Sequence, residues 1–546
     1  MTIANDSGTS ISVWMRTRVP AYDDPLPVEA RCDVCVIGAG IAGISVAHGA
    51  CRLGLDVIVI DDGPLIGGET ARSTAHVASA IDDRYYEIER HHGTAIAQLV
   101  AQSHAEAIDR IEANVAELGI DCDFQRVDGY LFVPPGRPLA ELDRELAAAA
   151  RAGLVVTMVD RAPLPFDTGP ALRFEHQAQI DPVAYVRGLA AALDAREVRI
   201  RTGVHAREVI PTDDGVWIKL QGERRIFARH VVDATNTTIT SRTRLPIRQA
   251  AYRTYVIAAE VPIGAVTPAL YWDTADPYHY VRVARDVFGR ELVLIGGEDH
   301  RTGQDVDPAR HWKELEHWAR ARFPRIVRIV DRWSGQIMEP ADGLAYIGRS
   351  PDLERVFIVT GDSGNGITHG TIAGIVLPEL IAGRDHLYAH VYDPRRSKLR
   401  AVGSLVREAV SSATPYVDWL GGGDVLRLAD IPRGGGAVLR RGVHLIATYR
   451  DDHGQLFECS ARCPHLSGVV SWNPAEHTWD CPCHGSRFDP YGRVINGPAN
   501  ADLAPPPVRP LDRRELPRRE RVSRSDEGAA ELDYPPPTMR PLLPGT

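Results

Sequence analysis

The chain has 546 residues, more than one ordinary domain needs, and its 44% hydrophobic and 25% charged composition is that of a soluble globular protein. A formal net charge of −10 argues against nucleic acid as a partner and gives no reason to expect an anionic membrane surface. The first eight residues lack the basic and apolar regions of a signal peptide, and the longest apolar candidate, residues 34–60, is interrupted by Gly, His, Arg and Asp, so no membrane span is expected. Half of the eight cysteines fall between 459 and 483, which predicts cofactor ligation in a cytoplasmic enzyme rather than a disulfide framework.

In chain order, residues 1–27 read as an N-terminal extension. A main body over 28–400 opens with a buried-strand run, Val34-Cys35-Val36-Ile37, then Gly38-Ala39-Gly40-Ile41-Ala42-Gly43, a small-residue helix, and a second strand, Val57-Ile58-Val59-Ile60. A Gly-x-Gly-x-x-Gly turn is weak evidence alone, but here a strand precedes it, a helix follows, and Asp61 closes the second strand. That context predicts a dinucleotide site in a Rossmann-type α/β fold. Gly38 and Gly40 allow the turn and the approach of a pyrophosphate, Gly43 lets helix and strand pack, and Asp61 accepts from ribose hydroxyls. Whether the dinucleotide is FAD or NAD is left open by these residues.

Further along, apolar residues at Ile96, Leu99, Val100, Ile108, Ile111, Val115 and Leu118 carry a helical period from Thr94 that stops at Gly119. Alternation after Gly129 and from Tyr278 to Val283 predicts a mixed sheet interleaved with the nucleotide-binding part. No second glycine fingerprint follows a strand, so a separate nicotinamide domain is not expected. Residues 401–423 read as a linker, with Gly421-Gly422-Gly423 and Gly434-Gly435-Gly436 as turn signals. The span 424–510 has the short strands of a small all-β module, and 511–546 is a tail rich in Arg, Glu and Pro that reads as mobile.

Within the β module, Cys463-Pro464-His465 and Cys481-Pro482-Cys483-His484-Gly485-Ser486 are separated by fifteen residues. Each loop offers one thiolate and one imidazole, the ligand set of a Rieske [2Fe–2S] centre: Cys463 and Cys481 on one iron, His465 and His484 on the other. A Cys2His2 zinc site is the alternative, but zinc fingers pair cysteine with cysteine and histidine with histidine, whereas here the two types alternate. No 2-His-1-carboxylate arrangement for a mononuclear iron stands out, and His386 and His390 read as surface residues.

An ordered series of motifs then narrows the family. Gly67-Gly68-Glu69-Thr70-Ala71-Arg72-Ser73-Thr74-Ala75-His76, Val231-Val232-Asp233-Ala234-Thr235-Asn236, a segment at 342–348, and Gly361-Asp362-Ser363-Gly364-Asn365-Gly366-Ile367-Thr368-His369-Gly370 together resemble the D-amino-acid-oxidase and glycine-oxidase superfamily of FAD-dependent oxidoreductases. With residues 272–280 and 296–304 added, the chain resembles the subgroup carrying a fused C-terminal Rieske domain. The resemblance implies FAD, with Gly38, Gly40, Gly43 and Asp61 at its ADP part. It implies Thr70, Arg72 and Ser73 near the pyrophosphate or flavin, Thr235 and Thr368 beside the cofactor, and the Gly364–Gly366 turn near the isoalloxazine or ribityl chain. It implies for His76 a non-covalent contact, covalent attachment of FAD being the alternative.

The same resemblance implies hydride transfer from a small amine or amino-acid-like donor to FAD and one-electron discharge through the cluster to an acceptor protein or quinone. A reductase or desaturase fed through the cluster, or a non-catalytic electron relay, are the alternative readings. Only Lys219, Lys313 and Lys398 are present, none in an expected flavin segment, which favours a dehydrogenase over an oxidase. Substrate-side candidates are Tyr278, His279, Tyr280, Arg282, Asp299 and His300, with Arg282 the expected partner of a substrate carboxylate; none is assigned as a catalytic base. The resemblance also implies a low-potential cluster. Respiratory Rieske proteins brace their loops with a disulfide whose partners here would be Cys483 and position 468, a glycine, and Phe488 stands where they carry a tyrosine.

Overall fold

The computed structural model describes residues 7–134, 136–241, 245–305, 307–396, 423–425 and 427–506. The expected linker, apart from Gly423, and the C-terminal tail lie outside these residues, as does Lys398. All described elements belong to one compact unit, Met1–Val508.

Strand Glu29–Ile37 is fully buried from Val34 onward because it runs at the centre of a sheet with neighbours on both edges. It pairs in parallel with Val57–Ile60 on one side and Arg225–Asp233 on the other, and Arg199–Arg201 and Val356–Thr360 extend the parallel sheet outward. Continuous apolar runs are what a parallel strand covered on both faces requires. Helix Ile41–Arg52 follows the first strand and packs along helix Gly366–Ile381, and both begin at the same cavity. The Cβ of any larger residue at 43 would sit on the Gly38 carbonyl and 3.2 Å from Val36 Cγ1, so only glycine lets this helix lie so close to its strand. Helix Thr94–Leu118 has the predicted bounds and ends on Gly119 in the left-handed conformation (φ 63°).

A second, nine-stranded sheet runs in the order Arg328–Pro340, Gln249–Glu260, Glu291–Arg301, His279–Arg285, Leu270–Asp273, Gln125–Phe132, Ala171–Gln179 and His76–Val77, with Val156–Val159 also on Ala171–Gln179. Its strands come from two stretches of chain, 76–179 and 249–340, set between three stretches that build the first sheet, which is the interleaving expected from sequence. The C-terminal part holds a three-stranded antiparallel sheet, Gly435–Arg441, His444–Arg450 and Leu456–Ser460. A four-stranded one follows: Ser471–Asn473, Thr478–Asp480, Arg487–Phe488 and Val494–Asn496. One expectation is corrected here. Gly434 turns the chain (φ 72°), but Gly435 and Gly436 begin a strand, because the Trp472 indole occupies the space that a side chain at 436 would fill.

The N-terminal segment lies between the two halves. Trp14 Nε1 donates to Ser73 O (2.9 Å), and Ser10 donates from both its backbone N (2.9 Å) and its Oγ (2.5 Å) to the Glu476 carboxylate. Glu476 in turn meets Arg253 (3.3 Å) from the second sheet and Arg72 (3.7 Å) from the turn Glu69–Arg72. Arg487 pairs with Asp480 (3.0 Å) and donates to Ser7 O (2.7 Å), while Glu69 accepts from Ser7 Oγ (2.5 Å), Gln336 N (2.7 Å) and Asn496 Nδ2 (3.3 Å). Arg72, Arg253, Arg487, Glu476 and Asp480 are all at most 2% exposed. Burial alone would raise the Glu476 carboxyl, yet Arg72, Arg253 and Arg487 together hold it below its ordinary range.

Glu476→Gln keeps the shape of this node and removes its charge, leaving buried guanidinium groups under-compensated. We expect a loss of about 3–5 kcal/mol in unfolding free energy, read by denaturant titration; a variant as stable as the parent would show that the buried charges are not coupled.

Candidate functional site

A cavity of about 270 Å³ lies at the carboxyl ends of the parallel strands. Of the residues expected at a dinucleotide, Gly38, Gly40, Asp61, Thr70, Arg72, Ser73, His76, Thr235, Gly364 and Gly366 all line it. Asp61 is fixed by the backbone: one oxygen accepts from Ala39 N (2.5 Å) and the other from Gly63 N (2.9 Å). Burial, with Asp62 beside it, pushes its carboxyl up to about 7. Thr70 Oγ1 accepts from Ile41 N (3.0 Å), so this threonine caps the first helix while facing the cavity. Thr235 Oγ1 donates to Asp233 Oδ1 (2.6 Å), and Ser73 Oγ accepts from Ala75 N (3.0 Å); both hold turns at the rim.

Two expected cofactor residues do not reach the cavity. Gly43 acts through helix packing, as described above. Thr368 is inside the first turn of its helix, where its hydroxyl donates to Asn365 O (3.0 Å), so the capping bond turns it away from the space its neighbours line. Arg72 lines the cavity, but its guanidinium is drawn into the buried charge network, donating to Ser334 O (2.6 Å).

The second sheet supplies the facing wall: Thr254, Trp272, Tyr278 and Tyr280, with His76 beside them. Side chains alternate across a strand, and this divides the substrate-side candidates. Tyr278 and Tyr280 line the cavity, whereas His279 faces the other way, its Nδ1 2.9 Å from Asp273 Oδ2 and its ring stacked on Trp318 at 4.4 Å. Arg282 is corrected as a carboxylate partner. Its guanidinium is fully buried and donates to the carbonyls of Thr74 (2.9 Å), Ala75 (2.8 Å) and Ile180 (2.9 Å), so it braces the turn behind the cavity.

His300 is likewise off the cavity. Its Nε2 lies 2.9 Å from Tyr255 Oη. With Asp305 and His311 it forms a two-histidine, one-carboxylate group whose ligand-capable atoms lie within 4.8 Å of one another, an arrangement not evident from sequence. The His300 and His311 rings stack 4.7 Å apart at 15°, so the group is packed as a stack rather than splayed around a common centre.

Four cavity groups, Asp82, Gln336, Asp362 and His369, carried no assignment from sequence. His369 is buried, and its Nδ1 donates to Asp362 O (3.0 Å), which leaves Nε2 as a bare acceptor with no partner. His76 Nε2 is also buried without a partner, and burial lowers its pKa to about 3, so the ring is neutral. Burial raises Asp82 to about 6 and Asp362 to about 7. Asp299, a substrate-side candidate from sequence, is buried behind the cavity wall beside Thr254 and Tyr278, and burial raises it to about 7. The Asp362–His369 pair lies within a quoted motif, but Asp82 and Gln336 left no signal. Only the strand pairing and loop packing bring them here.

At the other end, Cys463 and Cys481 are buried, and the rings of His465 and His484 stand 5.0 Å apart at 89°. His484 Nδ1 is buried and has no partner, as an atom reserved for a metal would be. None of the eight cysteines is in a disulfide. A Cβ at Gly468 would lie 2.5 Å from Cys483 Sγ and 3.4 Å from Cys483 Cβ, and Cys459 is taken up with Ala447 O (3.8 Å), so nothing braces the two loops covalently. Ser486 Oγ accepts from Ala499 N (3.0 Å), and Phe488 is buried.

Gln336 and Ala499 both line the cavity and touch the second ligand loop of the cluster, Ala499 through Ser486. Gln336 Nε2 donates to Gly485 O (3.0 Å), the residue after His484. Residues 494–500 of the β module also line the cavity, with Asn496 on Thr237 Oγ1 (3.0 Å) and Asn500 on Ala206 O (2.9 Å).

Comparison with known proteins agrees with this geometry. The family model described as FAD dependent oxidoreductase matches residues 33–380, and that of the Rieske [2Fe-2S] domain matches 423–507. YhfW of Bacillus subtilis (strain 168), named as a Rieske 2Fe-2S iron-sulfur protein, is 28% identical over 489 residues, covering 88% of this chain and 94% of that protein. Gamma-glutamylputrescine oxidoreductase of Escherichia coli (strain K12) is 24% identical over 66% of this chain and 86% of its own. Glycine oxidase from Geobacillus kaustophilus shares the fold, with TM-score 0.57 at 17% identity, over 67% of this chain and 100% of that one. The residues present fit both groups: a glycine cradle at two helix N-termini for the dinucleotide, and two buried thiols with an orphaned imidazole nitrogen for the cluster.

The placement of position 468 yields a direct check. In Gly468→Cys, oxidation is expected to join residues 468 and 483, since their Cβ separation is at the short end of the disulfide range. Mass spectrometry of a non-reducing digest reads it, and an oxidised protein with no cross-linked peptide would contradict the loop geometry.

Proposed function

Since the chain belongs to the family of FAD-dependent oxidoreductases and carries a Rieske [2Fe–2S] domain, we propose that it oxidises a small amine or amino-acid-like donor at the flavin cavity and passes the electrons on through the cluster. FAD, when bound, takes two electrons from such a donor, and a [2Fe–2S] cluster carries one at a time. The observation that carries the reading is the Gln336 contact. One buried side chain touches both the cavity and the ligand loop of the cluster.

Each wall of the cavity has a role in this reading. The helix ends at Gly40–Ala42 and Gly366–Ile367 face the dinucleotide with backbone N–H groups, and Asp61 takes the ribose. Cys463, Cys481, His465 and His484 hold the cluster. Trp272, Tyr278 and Tyr280 shape the donor's site and keep water from the reacting carbon. The E. coli relative named for gamma-glutamylputrescine supports an amine as the reacting group. An amine losing two electrons and two protons becomes an imine, which water releases as a carbonyl compound and ammonia or a smaller amine.

A dehydrogenase fits better than an oxidase. Lys219 is exposed and paired with Glu208 (2.8 Å), Lys313 is exposed, and among the described residues no lysine lines the cavity. A docked electron carrier also gives the electrons an exit other than oxygen.

Anaerobic addition of amines to the purified protein tests the reading. Bleaching of the flavin spectrum together with the EPR signal of a reduced histidine-ligated cluster is expected, and a flavin that reduces while the cluster stays oxidised would defeat it. Gln336→Leu is expected to leave flavin reduction unchanged and to slow the appearance of the cluster signal several-fold in stopped-flow and freeze-quench measurements. Equal rates would remove Gln336 from the route. With no loop disulfide and a phenylalanine at 488, the cluster potential is expected in the lower part of the range of roughly −150 to +300 mV, and a redox titration at its upper end would refute this.

A further inference from the structure

Taking the proposed amine reading as its basis, we infer that the donor is bound as a cation without an α-carboxylate: the site selects amines and rejects the amino acids that carry the same side chain. The charge of the cavity wall supports this. Its lining includes the carboxyl groups Asp61, Asp62, Glu69, Asp82 and Asp362, against Arg72 and a histidine, His205, that is already paired with Asp62 (3.1 Å). The Arg72 guanidinium is committed to Ser334 O and the Glu476 node. Arg282, on the strand that follows Tyr278, is spent on three backbone carbonyls. A carboxylate entering here would find no cation to receive it and would be repelled by those already present.

The polar atoms left over at the substrate end are acceptors. His369, on the cavity wall, offers Nε2, a lone pair because its Nδ1 proton is given to Asp362 O, and Asp299 stands behind that wall beside Thr254 and Tyr278. A buried acceptor without a donor costs free energy that a ligand N–H recovers. FAD does not supply the missing positive charge, since its pyrophosphate adds negative charge to the cavity. Trp272, Tyr278 and Tyr280 add ring faces, which favour an ammonium over a carboxylate.

Asp82 connects the cluster of acids. It is close enough to raise both Asp299 and Asp362, and it stands so close to Gly364 that a side chain there would strike its carboxylate. With its side chain on the cavity wall and its carboxyl at about 6, Asp82 is also placed to take the proton an ammonium must lose before oxidation.

The test uses the full-length protein loaded with FAD and cluster, without oxygen. It employs two pairs of probes that differ only in the α-carboxylate: 2-phenylethylamine against phenylalanine, and 1,5-diaminopentane against lysine. Dissociation constants come from calorimetry and from the shift of the flavin spectrum, and flavin bleaching is followed separately. We expect the amine of a pair to bind at least about tenfold tighter, and Asp82→Asn with Asp299→Asn to narrow that ratio while the flavin and cluster spectra stay normal. Equal or tighter binding of the amino acid, or a ratio that both substitutions leave unchanged, would overturn the inference. Amino acids that bleach the flavin where the amines do not would overturn it and leave the amine and amino-acid reading standing; a loaded protein that neither binds nor is reduced by any of the four would overturn both.

Discussion

The fixed relation between the two redox centres depends on a buried carboxylate, Glu476, and the guanidinium groups gathered around it. Arg72 comes from the flavin-binding part, Arg253 from the second sheet and Arg487 from the β module, and the N-terminal segment closes the node through Ser10. A buried charge is tolerated only when paired and hydrogen-bonded. Lifting the β module away would strand several charges at once, so the module is docked as part of the fold. That docking makes Gln336 a lasting contact between cavity and cluster loop, and it lets residues 494–500 close one side of the cavity.

Docking also explains the character of the flavin site. The β module contributes Asn496 and Asn500 to the rim, where they hold backbone and hydroxyl groups of the nucleotide-binding part. The second sheet contributes aromatic rings, and the loops at Asp82 and Asp362 contribute acids. The cavity therefore has an anion-receiving end, built from helix N-termini, and an opposite wall rich in acceptors and poor in free cations. This polarity arises from three separate stretches of chain, and no one of them carries it alone.

The local signals in the sequence were read well where the physics is local. The βαβ glycine turn, the helix Thr94–Leu118 with its Gly119 stop, and the two Cys–His loops depend on spacing within a few residues, and each stands as its pattern predicts. The misread residues share a cause. Tyr278, His279, Tyr280 and Arg282 form a compact group in sequence, but strand alternation turns His279 to the far face, and unsatisfied carbonyls at Thr74, Ala75 and Ile180 claim Arg282. Gly435 and Gly436 look like a turn and form a strand, because their lack of side chains serves a tryptophan packed above them.

By itself, then, the sequence determined a dinucleotide site and an iron–sulfur ligand set, with the order of the longer motifs pointing to FAD. Glycine spacing, a strand-ending acid and alternating thiolates and imidazoles are requirements of the ligands, written into short segments that need no tertiary context. Only the tertiary structure decided which residues stand between the flavin cavity and the cluster loop and which charges line that cavity. Gln336 and Gly485 are 149 positions apart, Asp82 and Asp299 more than 200, and Glu476 meets an arginine more than 400 positions away. Their meaning lies in which charges are left paired or unpaired once the sheets close around them, and pairing of that kind has no signature in the order of residues along the chain.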